Sequence, residues 1–361
     1  MNLNRIPNKF QMKIIAIGDP HFQVTNIPEV NTFIDRMEDL AKKENPDLII
    51  ILGDVLHTHE RLHTTPLNKA YEFVEKMRNI AKTFVLVGNH DAINNQIFLT
   101  PDHWMNGMKQ WENVTIVDTV VHRHIDKYHF VFCPYVPPGK FQEALDSNEE
   151  NWKQADCIFA HQEFYGCKMG AIISVEGDKW SSELPPVVSG HIHSKQTLQE
   201  GVYYCGSSMQ HAFGESDKNI IPIFTWKKAG KPYSLEEIDL ELPRKKIIYT
   251  DVESMKDYVP PETEDKIKLT ISGVYDDFKA FKKTKKYKEL TKQGTKIVFK
   301  PKKIQVEEKE EGKEEKFEVD ESDFNRILTT LISNEKSSFL HQVFELVVNN
   351  RTIEEEDILF L

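Results

Sequence analysis

The sequence predicts an α/β protein built from two packed mixed sheets with helices outside. Three observations carry the prediction. Apolar runs that stop at polar residues alternate with amphipathic segments from residue 13 to residue 87, further apolar runs follow at closer spacing after residue 110, and a single helix-like stretch interrupts them at 139–150. A strand–helix–strand series of this kind signals α/β layers. Spacing alone leaves one highly twisted sheet open as an alternative.

The first apolar run, KIIAIG at 13–18, reads as a buried strand and ends at Asp19. Residues 29–44 place Val30, Phe33, Ile34, Met37, Leu40 and Ala41 at helical spacing, with Pro46 past the stop. LIIIL at 48–52 runs into Gly53-Asp54. A second helix is expected over 67–81, carrying Ala70, Phe73, Val74 and Met77, and TFVLV at 83–87 delivers Gly88-Asn89-His90-Asp91. Later strands are expected at 114–117, 128–132, 156–160, 187–189, 202–205, 220–226 and 235–242. Polar residues thus gather just past strand ends, where a rigid sheet can hold distant side chains together. This domain should span 12–243, after a loose extension at 1–11.

Beyond Pro243 the pattern changes. Within 244–303, a strand at 265–274, a lysine-rich helix at 276–290 and a strand at 295–299 suggest a small βαβ module. Residues 279–303 hold eleven lysines and one acidic residue, Glu289. A solvated basic face is the ordinary reading of such a run. Its alternative is contact with a phosphate backbone through Lys279, Lys282, Lys283, Lys286, Lys292, Lys296, Lys302 and Lys303. A charged linker follows at 304–319. Within 320–361, Phe324, Ile327 and Leu331 mark one apolar helical stripe, and Phe339, Val343, Phe344 and Val347 mark another.

Composition narrows the class. The 361 residues carry a formal net charge of -11, which argues against a uniformly basic DNA-binding surface but not against a local one. Cys133, Cys157, Cys167 and Cys205 form no CxxC pair and read as buried free thiols, which suits a reducing compartment. No segment approaches the ~20 apolar residues of a membrane span, and the N-terminus has no signal-like stretch. These features point to a soluble intracellular protein, cytoplasmic or nuclear.

Five short blocks carry chemistry: Asp19-Pro-His21, Gly53-Asp54, Gly88-Asn89-His90-Asp91, His161, and Gly190-His191-Ile192-His193. A lone Gly-Asp after a strand is usually a turn. Together, however, the blocks offer two carboxylates (Asp19, Asp54), one amide (Asn89) and four imidazoles (His21, His161, His191, His193). That set could hold two divalent cations around a shared carboxylate, activate water and clamp a phosphate. Mixed nitrogen and oxygen donors suit manganese, iron or zinc better than an oxygen-only magnesium cage. His90, beside Asn89, would sit near a reacting phosphate and, protonated, could stabilise the transition state or protonate the leaving oxygen, with Asp91 orienting it or stabilising its protonated form; a turn-stabilising histidine is the plain alternative.

The motifs D-x-H, GD, GNH[D/E], a lone His and GHxH, in that order over 13–226, resemble the calcineurin-like metallophosphoesterase superfamily. The resemblance implies a four-layer α-β-β-α sandwich. It also implies one ion at Asp19, His21, Asp54 and His193 and another at Asp54, Asn89, His161 and His191.

Within that superfamily the chain looks most like the SbcD-type nuclease subunits and their phage and viral relatives, which process DNA ends in recombination and repair. GD is followed by Val-Leu-His57, as in that group's GD-x-x-H block. The resemblance implies two Mn2+ ions, exonuclease and endonuclease activity, and a small α+β cap that contacts DNA. It further implies C-terminal helices that dock on a coiled-coil ATPase (SbcC in bacteria) and a homodimer formed near the loop after His57. His57 would help to position DNA, although His59 and His63 in the same stretch admit a plain polar loop. The first block departs from the group in having Pro20 between its ligands, and the short cap admits a viral or phage member. Rival readings are a phosphomonoesterase or protein phosphatase, for which the arginine-bearing GD-x-x-D-R-G block is absent, and a metal-stabilised repair scaffold without catalysis.

Overall fold

A computed structural model describes residues 11–59, 61–198 and 201–302, together with Ile332 and Phe344. One compact unit runs to Lys302; Lys303–Leu361 form a second, of which only the two helical residues Ile332 and Phe344 are described. Residues 1–10 of the extension, the linker, Lys303 and the remaining residues of the two C-terminal stripes lie outside the described residues.

The first sheet has the order β14-β13-β1-β2-β3-β4. Its strands are β1 (Met12–Ile17), β2 (Leu48–Ile51), β3 (Lys82–Leu86), β4 (Val114–Val117), β13 (Ile221–Trp226) and β14 (Ser234–Ile238). The four strands β1 to β4 are parallel, and β13 and β14 add antiparallel strands on the β1 side. Helices α1 (Ile27–Glu44) and α2 (Thr64–Arg78) make the crossovers. Asn45 ends α1 in the left-handed region with φ 48°, its N–H donating to the Ala41 carbonyl. The helix expected at 67–81 starts earlier because Pro66 sits in its first turn, where its missing N–H costs nothing.

The second sheet, β11-β12-β10-β7-β6-β5, is built in the same way. Parallel strands β6 (Tyr128–Cys133), β7 (Cys157–His161), β10 (Val187–Gly190) and β12 (Val202–Tyr204) are flanked by β5 (Val121–Ile125) and β11 (Gln196–Thr197), both antiparallel. A small hairpin, β8 (Lys168–Met169) and β9 (Ile172–Ile173), projects after β7. The expected helix at 139–150 shortens to α3 (Phe141–Asp146).

Alternation along the central strands sorts the core into layers. Ile15, Ile17, Ile49, Ile51 and Val85 face α1 and α2. Ile14, Ala16, Ile50, Phe84 and Leu86 face the second sheet, meeting Phe130, Phe132 and Phe159. Phe84 and Phe132 stack across the gap at 4.1 Å with an interplanar angle of 2°. Each such fully buried ring stabilises the fold by about 1.5–3 kcal/mol. Val131, Cys133, Ile158 and Ala160 face outward onto α3, Trp152 and Trp180. Two sheets sandwiched between helical layers result, and the twisted single sheet is excluded. All four cysteines are buried and free.

The third sheet has the order β15-β16-β17, formed by β15 (Lys245–Asp251), β16 (Lys266–Gly273) and β17 (Lys296–Pro301), all parallel. Helices α4 (Tyr275–Phe281) and α5 (Lys285–Lys292) connect the last two strands. Its own core includes Met255, Leu269, Ile271, Phe278 and Phe281. Strand β15 was not expected, because KKIIYTD is mostly half-buried and lacks a clean buried pattern. It is tied to the main domain where the Lys245 N–H donates to Gln210 Oε1 at 2.6 Å and Arg244 Nη1 donates to Asn219 Oδ1 at 3.1 Å.

Candidate metal centre

Five parallel strands from the two sheets finish at one end of the sandwich, and each hands over a polar residue. Asp19 follows β1, Asp54 follows β2, Asn89 follows β3, His161 closes β7 and His191 follows β10. The turns there are unusual: Asp19, His21, Asp54 and His191 have φ of 40°, 45°, 51° and 77°. Non-glycine residues rarely adopt this region. Neighbouring glycines make room for them. A Cβ on Gly88 would stand 2.2 Å from Asp54 Oδ1, and one on Gly53, itself at φ 104°, would stand 2.6 Å from His161 Nδ1.

All seven expected donors converge. Asp54 Oδ2 lies 3.5 Å from His21 Nε2 and 3.4 Å from His161 Nε2. Asn89 Oδ1 lies 3.0 Å from His161 Nε2 and 2.9 Å from His191 Nδ1. His21 Nε2 and His193 Nε2 are 3.0 Å apart. Donor atoms of Asp19, His21 and Asp54 form one tight group and those of Asp54, His161 and His191 another, with Asp54 common to both. His161 Nδ1 donates to the Leu52 carbonyl at 2.7 Å, fixing the ring so that Nε2 faces the cluster.

The electrostatics fit cations. Burial pushes the Asp19 carboxyl up to about 6, and its Oδ2 is buried without a hydrogen-bond partner. Burial lowers His191 to about 3, keeping it neutral. Burial opposes the charged form of His161 as well, but the Asp54 and Asp19 carboxylates outweigh it and hold the ring at about 9. An orphaned carboxylate oxygen amid imidazole lone pairs is what two divalent ions would satisfy.

His90 is half-buried beside this cluster. Its N–H donates to Asp54 Oδ1 at 2.8 Å and its Nδ1 donates to the His57 carbonyl at 2.7 Å. Its ring stacks on His59 at 4.7 Å and parallel to His57 at 5.6 Å. The His57 ring lies 3.4 Å from His21, Nδ1 to Nδ1.

Asp91 departs from expectation. Rather than orienting the His90 ring, it is buried and accepts from the N–H groups of Val55, Leu56 and Gly88 and from Trp104 Nε1 at 2.9 Å. It clamps the Gly53-Asp54 and Gly88-Asn89 turns together, a positioning role behind the donors. The His90 ring is held by a carbonyl instead.

One residue escaped the sequence reading. The His211 ring packs 4.9 Å from His21 and 5.2 Å from His193 and could join them around an ion. Its Nε2 donates to the Asp19 carbonyl at 2.8 Å, leaving Nδ1 buried without a partner. Glu215 Oε2 accepts from the N–H groups of His211 and Ala212, while Oε1 lies 3.7 Å from His193 Nδ1. The only signal was a His-x-x-x-Glu spacing after a strand, which carries no motif.

The lysine run lies on and beside α4, α5 and β17. Lys279, Lys283, Lys292, Lys296 and Lys302 are exposed. Lys282 lies over the Phe278 ring at 5.4 Å, and Lys286 donates to the Lys256 carbonyl at 2.8 Å, so these two already have protein partners.

A sandwich whose strand ends gather carboxylates, an amide and imidazoles around a shared aspartate defines a metal-binding hydrolase fold with a two-ion pocket. The family model described as calcineurin-like phosphoesterase matches residues 12–204, and the chain belongs to that family. Two curated relatives are named as putative phosphoesterases of viruses. Protein 078R of Invertebrate iridescent virus 3 is 45% identical over 303 residues, 82% of this chain and 87% of its own length. Protein 244L of Invertebrate iridescent virus 6 is 48% identical over 279 residues, 76% of this chain and 98% of its own length. Among the described residues no helix is long and apolar enough to cross a membrane.

Proposed function

We propose that the chain is a Mn2+-dependent phosphodiesterase acting on DNA ends, the nuclease subunit of an ATPase–nuclease assembly. The observation that carries the reading is the joint placement of seven donors and His90 around Asp54. When bound, two divalent cations supply Lewis acidity toward the phosphate and activation of water. Asp19, His21, Asp54 and His193 would hold one cation, and Asp54, Asn89, His161 and His191 the other, with His211 beside the first group.

The chain's own groups then divide the remaining work. His90, anchored through Nδ1, carries a proton on Nε2 only in its charged form, and in that form passes it to the departing 3′ oxygen directly or through water, becoming the neutral ring. The His57 ring, beside His21, guides the strand toward the cluster. Asp91 keeps both donor turns in register. Exposed lysines of α4, α5 and β17 draw the phosphate backbone without reading sequence. The stripes of Phe324, Ile327, Leu331, Phe339, Val343, Phe344 and Val347 dock on the coiled-coil ATPase, and the loop after His57 with α2 supports a homodimer.

The discriminating experiment gives purified protein, loaded with different divalent metals, a labelled DNA duplex, bis-para-nitrophenyl phosphate and para-nitrophenyl phosphate. Mn2+-dependent cutting of DNA and of the diester, lost in His90→Asn, supports the reading. Turnover of the monoester alone makes the protein a phosphomonoesterase, and DNA binding without any cleavage makes it a scaffold. Truncation after residue 317 should spare diester turnover and abolish capture of a matched ATPase.

A further inference from the structure

A second histidine cluster lies on the outer face of the second sheet. Along β5, Val121 and Ile125 pack toward the inter-sheet core, so alternation turns His122 and His124 to the opposite face. Register sets His124 across from His129 on β6, where Val131 and Cys133 mark the same outer face. The rings of His124 and His129 stack at 4.3 Å, and His122 Nδ1 lies 3.0 Å from His129 Nε2. Glu150 reaches this face from the loop after α3. Its Oε2 is 3.6 Å from His122 Nδ1, and its Oε1 is 3.6 Å from His129 Nε2 and also accepts from His124 Nε2. Donor atoms of His122, His129 and Glu150 all lie within 4.8 Å of one another.

The cluster is separate from the phosphoesterase centre. His129 and Asp156 exchange hydrogen bonds, which puts His129 level with the residue just before β7. His161 closes the other end of that strand. Five residues of strand separate the two levels by about 16 Å.

The surroundings suit ligation. His122 and His129 are only 7% and 9% exposed, and burial holds both imidazoles below their ordinary range, in the neutral form that binds metals. The His129 ring is also hydrogen-bonded to the Gln154 backbone. Asn148 fixes the acidic arm: its Oδ1 accepts the Glu150 N–H at 3.0 Å and its Nδ2 donates to the Val120 carbonyl at 3.3 Å. Supports of this kind orient ligands before an ion arrives.

We propose that His122, His129 and Glu150 form a mononuclear site for a borderline divalent cation, Zn2+ above all, with His124 donating to Glu150 at its rim. Two imidazoles and one carboxylate, with water in the fourth position, make a four-coordinate set for such an ion. The ion staples the Glu150 loop to the outer face of β5, the edge strand of the second sheet.

The test counts zinc in the full chain after dialysis against Zn2+ and gel filtration, comparing wild type with His122→Gln/His129→Gln. The difference between the two should be one ion per chain, whatever the rest of the molecule holds. A zinc-dependent rise in melting temperature should shrink in the variant, while Mn2+-supported diester turnover stays at the wild-type level. Equal zinc content with equal melting responses would overturn the proposal and leave a hydrogen-bonded histidine cluster only. Should the double variant fail to fold, Glu150→Gln replaces it. A drop in zinc affinity at this site of about tenfold or more is then expected, and unchanged affinity overturns the proposal.

Discussion

The backbone N–H of His90 donates to Asp54 Oδ1 at 2.8 Å, while Asp54 Oδ2 faces His21 and His161. The carboxylate shared by both donor groups therefore also sets where His90 stands. The placement of the donor cluster and of His90 is thus linked through one side chain but carried by different atoms.

That separation makes His90→Asn informative. The backbone contact to Asp54 survives, so metal content should stay at the wild-type level. Diester turnover should fall by about 10²–10⁴-fold, the usual worth of a positioned general acid. Elemental analysis beside turnover of bis-para-nitrophenyl phosphate checks both halves, and full turnover would end the assignment.

His57→Ala should behave differently. The carbonyl that anchors His90 belongs to the backbone and remains, so the small diester should be cleaved at nearly the wild-type rate. DNA, which needs guidance over a longer path, should lose turnover. The readout is the ratio of the two activities at equal metal content. Loss of bound metal instead would make His57 a ligand or a scaffold.

Asp91→Asn tests the clamp behind the turns. An amide NH2 would face N–H donors that now find a carboxyl oxygen, costing about 1–3 kcal/mol for the buried donors left unsatisfied. Denaturant unfolding followed by tryptophan fluorescence should show that loss even in chelator, where no metal contributes. A stability equal to wild type would mean that the clamp does not matter.

Proton competition should govern metal uptake. Ligation needs Asp19 ionised and His161 neutral, whereas the metal-free groups sit at about 6 and about 9. Binding at pH 7 thus displaces the His161 proton, and affinity should rise about tenfold per pH unit up to about pH 9. Below about pH 6 the Asp19 proton adds to the competition and the slope steepens. Calorimetry in buffers of different ionisation enthalpy would count the released proton.

Neutralising Lys279, Lys283, Lys292 and Lys296 together should weaken DNA binding and flatten its dependence on salt, since each phosphate contact contributes to that slope. Cleavage of the small diester should not change. An unaltered salt slope would remove the third sheet from the DNA path.

Much of this architecture was legible because its signals are local. Buried parallel strands read as continuous apolar runs such as LIIIL, and each of the seven donors sits in a short block at a strand end. What escaped did so for physical reasons. Strand β5 reads VHRHI, a hairpin edge whose outer face carries polar rings, so no apolar run announces it. β15 is mostly half-buried with no fully buried residue, and it opens on two lysines. His211 comes from a loop whose position depends on β12 and on Glu215, a tertiary matter that no spacing encodes. The orienting role expected of Asp91 is not seen because adjacency in sequence placed it beside His90, while its side chain turned back toward Val55 and Gly88.

The left-handed turns at Asp19, His21, Asp54 and His191 have a consequence for tolerance to change. Glycine would relax each turn, at a gain of order 1 kcal/mol per position, yet glycine has nothing to offer a cation. Catalytic competence and thermal endurance are therefore set against each other at these four places. Heat-selected variants should accumulate glycine there first, and they should be inert.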